Sequence, residues 1–96
     1  MNYYLIIGNL KEDATFDDKF KRILDEHLNY YENETSLGSL ILSGPKEGGG
    51  GIGIYRGDEV KDFCDNDPLY LENYIKYEII NFSPNAVNEK LLELFI

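Results

Sequence analysis

His27 is the only histidine of the chain, and it falls on the apolar stripe of a helical segment. Phe16, Phe20, Ile23, Leu24, His27, Leu28 and Tyr31 recur at the spacing of one face of an α-helix. An imidazole directed inward must find hydrogen-bond partners, give up its charge or line a cavity. Further along, Val60, Phe63, Cys64 and Asp67 stand at i, i+3, i+4 and i+7, so Asp67 continues a second inward stripe where its helix ends. A carboxylate bonded to an imidazole sets the ring tautomer and makes it a general acid or base near neutral pH. The same spacing fits a second account, in which Asp67 caps the turn before Pro68 and His27 is a satisfied core histidine.

Other residues add less chemistry. Tyr31 follows His27 by one helical turn and is placed to donate a hydrogen bond to a substrate oxygen or to serve as a core-edge tyrosine. Leu42-Ser43-Gly44-Pro45 has no Gly-x-Ser-x-Gly context, so Ser43 reads as a strand-end hydroxyl and not as a nucleophile. Cys64, flanked by Asp62 and Asp65, reads as a small hydrophobe. Gly48 to Gly51 lack the Gly-Lys-Ser/Thr of a phosphate loop and are expected to form a mobile hairpin loop, a lid over a cleft. One histidine, one cysteine and scattered carboxylates make neither a zinc nor a calcium site, and no cofactor is expected.

These residues need elements to hold them. Tyr3 to Ile7 reads as a strand buried on both faces and ended by Gly8-Asn9. Asp13 or Thr15 is the expected cap of a helix from Phe16 to Glu32, with Asn33 to Gly38 a polar connection. Ser39–Ser43 and Ile52–Tyr55 read as hairpinned strands, followed by a short helix bearing Val60, Phe63 and Cys64. Tyr74 to Phe82 is a fourth strand, and Ser83-Pro84 starts a helix expected to run from Asn85 to Ile96. The order predicts an α+β, ferredoxin-like split βαβ domain over residues 1–96: a four-stranded antiparallel sheet with helices on one face, plus a C-terminal helix. The second face carries too many apolar side chains for water, which predicts a homodimer packed sheet to sheet.

Composition narrows the partners. Eighteen acidic and nine basic residues give a net charge of −9, so neither nucleic acid nor an anionic membrane is an expected partner. Hydrophobic residues make up 43% and aromatic residues 14%, enough for one small core with aromatics to spare for a pocket or interface. No apolar run approaches the length of a membrane span, and Met1-Asn2 runs directly into the first strand, so no signal peptide is expected. With a single cysteine, the expected location is cytoplasmic.

The run His27-Leu28, then Gly38, Ser43-Gly44-Pro45 with glycines after it, and finally Asp67-Pro68, resembles the YCII-related family of small proteins over Tyr3 to Phe82. The resemblance implies a dimeric α+β barrel whose cleft holds a His–Asp pair. On this chain these are His27 and Asp67, with Ser43, Gly44 and Pro45 at the cleft wall. Most members of the family have no assigned reaction; a relative is a dehydrochlorinase of chlorinated hydroxyquinols, and the barrel is similar to that of muconolactone isomerases. Asp25-Glu26 stand where many members carry basic or small residues, which argues against an anionic substrate of the muconolactone kind.

The expected function is a cofactor-independent lyase or isomerase. In it His27, oriented by Asp67, moves a proton on an aromatic or lactone-like small molecule. Ser43, Gly44, Pro45 and Tyr31 would bind the substrate, with Ser43 and backbone N–H groups near Gly44 holding a developing oxyanion. The alternatives are a non-catalytic homodimeric metabolite-binding domain and an accessory subunit docked through the apolar tail Leu91 to Ile96.

Overall fold

Strand-forming side chains open the chain, and the computed structural model, which describes residues 1–95, carries the first strand past Ile7 to Leu10 (β1, Tyr3–Leu10). Gly8 and Asn9 do not end it, because Gly8, Asn9 and Leu10 pair with Tyr77, Lys76 and Ile75 of the last strand. There follow α1 (Asp18–Leu37), β2 (Leu40–Pro45), β3 (Gly51–Arg56), α2 (Val60–Asp65), α3 (Pro68–Leu71) and β4 (Ile75–Phe82). The strands form one antiparallel sheet in the order β2-β3-β1-β4. This α+β arrangement is compatible with a ferredoxin-like fold. No helix among the described residues is long and apolar enough to cross a membrane.

The long helix differs from expectation at both ends. Its cap is Asp17, not Asp13 or Thr15: the Asp17 carboxylate accepts from the Phe20 N–H at 3.0 Å, so Phe16 lies outside the helix. The polar stretch Asn33–Leu37 continues the helix until Gly38, whose φ of 93° makes the left-handed turn that ends it. Tertiary contact overrides polarity there, since the Tyr55 hydroxyl reaches across from β3 to donate to Glu34 at 3.0 Å.

The sheet has two unlike faces. Toward the helices, Ile6 lies opposite Gly53 and Ile79, and Tyr4 opposite Tyr55. Ile6, Leu40, Tyr55, Val60, Phe63 and Cys64 close into one core; Phe20, Ile23, Leu69 and Ile75 close into a second. Away from the helices, Leu5 is flanked by Ile54 and Ile80, and Ile7 by Ile52 and Glu78. That face is uncovered over much of its area: Leu42, Ile52 and Ile80 are 40–49% exposed. The first strand is therefore not buried throughout on both faces: Ile6 and Gly8 are buried toward the helices and Tyr3 beneath Phe95, whereas Leu5 and Ile7 are only half-buried.

The tail is not the expected α-helix. Residues 83–88 have no helical structure, and a 3₁₀-helix covers Glu89–Phe95. Asn88 breaks the pattern by accepting from Lys90 N–H with its side chain and from Leu91 N–H with its carbonyl. Phe95 packs on Tyr3 with ring centroids 5.2 Å apart, and the Arg56 guanidinium donates to the Leu94 carbonyl at 3.3 Å. Ile96, the last residue of the expected helix, lies outside the described residues.

The glycine run is a pinned hairpin turn and not a free lid. Lys46 N–H donates to the Gly50 carbonyl at 3.1 Å, and Gly49 N–H donates to the Lys46 carbonyl at 3.3 Å. Gly50 has a φ of 79°, and a Cβ there would lie 1.9 Å from the Gly8 carbonyl oxygen. Only glycine lets the turn lie against β1. Gly50→Ala is expected to destabilise the fold by about 3 kcal/mol or more, through backbone strain and displacement of the turn. Gly48→Ala, with open space around its Cβ, should cost only about 1 kcal/mol of left-handed strain. Urea unfolding of the two variants checks the difference; equal midpoints would contradict the close approach.

Candidate active site

The register between α1 and α2 brings the chemistry together. Tyr30 stacks on Phe63 with ring centroids 5.0 Å apart, and its hydroxyl donates to the Phe63 carbonyl at 2.6 Å. One turn back along α1 stands His27, and one turn beyond Phe63 stands Asp67. The two inward stripes thus end face to face: His27 Nδ1 lies 2.7 Å from Asp67 Oδ1.

Asp67 does two jobs at once. It caps α3, accepting from Leu69 N–H at 3.1 Å on the same Oδ1, with Pro68 at the first helical position. Its other oxygen accepts from the Tyr77 hydroxyl of β4. The residue is fully buried, so these partners replace the water a carboxylate requires. With both oxygens serving as acceptors, His27 Nδ1 is the donor, which leaves Nε2 as the ring's free basic nitrogen.

The same proton count orients the tyrosines. Tyr77 spends its only proton on Asp67, so Tyr31, 2.5 Å away, donates to the Tyr77 oxygen. Tyr31 is thus left with lone pairs and no free proton, because its proton points to Tyr77. This reverses the donor role that position on the helix suggests.

His27 and Tyr31 line a cavity of about 550 Å³, whose far wall at the end of β2 is made by Ser43, Gly44 and Pro45. Ser43 pairs with Gly53 and so faces the helices. Phe16, Phe20, Leu24 and Leu28 supply an apolar wall from α1 and the loop before it. The His27 side chain is 16% exposed while that of Asp67 is inaccessible. The imidazole meets the cavity and the carboxylate stands behind it. All six residues singled out from sequence are assembled at this one place, Asp67 from behind the wall.

Tyr77 is the member of the cluster that sequence reasoning did not single out. A signal did exist. Gly8 interrupts an apolar strand and lies directly opposite Tyr77, where an added Cβ would come within 3.2 Å of the tyrosine ring. A glycine inside a strand often marks such a close approach. Among the described residues no cluster of His, Cys, Asp or Glu side chains could hold a metal ion. Cys64 is buried, and that burial, reinforced by Asp67, pushes its thiol up to about 12. It is inert as a nucleophile.

Burial, with nearby negative groups adding to it, raises Tyr30 to about 12 and pushes Tyr31, Tyr55 and Tyr77 well above the ordinary tyrosine range. For each, the folded state keeps a proton that the unfolded chain loses once pH passes the ordinary value, 9.0 for Cys64 and 10.0 for the tyrosines. Their contribution is complete below that value and is lost as pH climbs through the folded one. The melting temperature is therefore expected to fall steadily from about pH 9 upward, with the tyrosinate signals of Tyr30, Tyr31, Tyr55 and Tyr77 appearing together with unfolding. Tyr77→Phe should lower stability at pH 7 by about 1–3 kcal/mol, by removing a donor to buried Asp67, yet make the alkaline decline shallower. Free titration of Tyr30, Tyr31, Tyr55 or Tyr77 in the folded protein, read from its own ring signal by NMR, would contradict this account. No protein-family model matches the chain, and no curated protein matches it.

Proposed function

We propose that the chain is a cofactor-independent small-molecule enzyme of lyase or isomerase type, in which His27 moves a proton on an aromatic or lactone-like substrate. The observation that carries this reading is the 2.7 Å contact between His27 Nδ1 and buried Asp67, with the imidazole on a cavity wall. A ring whose Nδ1–H is held by a carboxylate offers Nε2 as a base, and the carboxylate stabilises the imidazolium formed on proton uptake. Ser43 and the peptide groups near Gly44, across the cavity, would hold the oxygen on which negative charge develops. Membership of the YCII-related family belongs to this proposal, as does a cytoplasmic location; the combination of His27, Ser43-Gly44-Pro45 and Asp67-Pro68 about one cavity supports the former.

The second copy in this proposal covers the part of the sheet face that neither the α-helices nor the tail covers. Exposed Leu42, Ile52 and Ile80, with half-buried Leu5 and Ile7 between them, present an apolar surface of the kind that closes a dimer. Asp67 also caps α3, and this favours a second reading: the pair is structural and the cavity holds a metabolite without converting it.

Incubation with a panel of uncharged aromatic and lactone compounds in D₂O separates the readings. Wild type is expected to wash solvent deuterium into a carbon position of at least one compound, and His27→Asn to slow that exchange by about 10²-fold or more. Exchange unaltered in His27→Asn, or absent throughout the panel, rejects the catalytic reading. Light scattering should give the mass of two chains for wild type and of one for Ile80→Lys, which sets a charge in the apolar face. A monomeric wild type would remove the dimer.

A further inference from the structure

We infer that the cavity beside His27 selects an uncharged ligand with an apolar body and a hydrogen-bond-donating group, and rejects carboxylates and ammonium ions of the same shape. The inference rests on the functional reading above and specifies what that site takes.

The cavity lining decides the charge. Of the side chains around it only His27, Tyr31, Ser43 and Tyr77 carry polar atoms, and no lysine, arginine, aspartate or glutamate is among them. A carboxylate brought inside would give up its hydration with no cation to replace it. His27 does not supply that cation, because any positive charge on the ring is already matched by Asp67 at 2.7 Å. The overall charge of −9 adds repulsion on approach. An ammonium ion fares no better inside. Asp67 is fully buried behind the ring, with His27, Leu69 and Tyr77 already donating to it, so no carboxylate faces the ligand.

The hydrogen-bond directions decide the polar group. Nε2 of the neutral ring is an acceptor, because Nδ1 carries the proton given to Asp67. Tyr31 is an acceptor too, since its proton goes to Tyr77. The rings of His27 and Tyr31 stand 4.3 Å apart on one wall of the cavity, whose neighbouring side chains are apolar, so both acceptors belong to the same stretch of lining. A ligand satisfies them by donating. One that brings only acceptors can meet the Ser43 hydroxyl but leaves the lone pairs of His27 and Tyr31 unpaired.

Four probes of one shape test this: p-cresol, 4-methylanisole, 4-methylbenzoate and 4-methylbenzylamine, titrated at pH 7 while the ring signals of the single histidine are followed by NMR. The expected order is p-cresol first, 4-methylanisole weaker by about three- to tenfold for the lost hydrogen bond, and both ions weaker than p-cresol by about a hundredfold. In Tyr31→Phe, which removes one acceptor and keeps the histidine signal, the gap between p-cresol and the anisole should narrow. Benzoate or benzylamine binding as tightly as p-cresol overturns the inference, as does anisole matching p-cresol, or no probe shifting the histidine. The titration reads binding alone. A protein that shows the expected order and no deuterium exchange rejects catalysis and keeps this inference; the reverse result rejects this inference and keeps catalysis.

Discussion

A carboxylate with no access to water, Asp67, is the constraint around which the rest of this small domain is arranged. Such a group costs several kcal/mol to bury unless donors surround it, and here the donors come from three separate elements: the Leu69 peptide of α3, the His27 ring of α1 and the Tyr77 hydroxyl of β4. Any shift of α1 along α2, or of β4 under the helices, would strip a donor from it. Asp67 therefore specifies register as well as chemistry. The stacked Tyr30–Phe63 pair one turn away reinforces the same alignment through apolar contact and a peptide hydrogen bond.

From this follows the division of labour between carboxylate and imidazole. Asp67 satisfies its environment completely and is sealed off, whereas His27 uses one nitrogen to satisfy Asp67 and keeps the other for the cavity. The tyrosines extend the pattern outward, with Tyr31 pointing its proton to Tyr77 and left with lone pairs. Every hydrogen-bond arrow in the cluster runs toward the buried carboxylate, so the network holds a fixed polarity and does not pass a proton through the protein. A fixed polarity is what lets the cavity discriminate between ligands that donate and ligands that accept.

The sheet serves both purposes because its two faces are chemically separated by strand alternation. Gly8 and Gly53 on the helix side make room for Tyr77 and the core, while the intervening residues Leu5 and Ile7 load the opposite face with apolar surface. The pinned turn at Gly50 ties the hairpin of β2 and β3 to β1, and so holds Ser43 and Pro45 at a set distance across the cavity from α1. Rigidity at the glycine run, where composition suggests freedom, is a consequence of close backbone contact.

Periodicity and turn chemistry were enough to read the order of the elements, the inward stripes carrying His27 and Asp67, and the cap at Asp67-Pro68, because these depend on residues near each other in the chain. That one sheet face lacks α-helices was also legible, since the order of strands and helices implies it. Features set by distant partners were not. The extent of α1 past Asn33 depends on Tyr55, the continuation of β1 through Gly8 on pairing with β4, and the form of the tail on Asn88 turning it toward Tyr3. Above all, the distance between His27 and Asp67, the part played by Tyr77 and the direction of the Tyr31 proton were decided only by tertiary structure. A hydrogen-bond polarity depends on which groups converge at one point, and residues forty positions apart in sequence carry no local sign that they will meet.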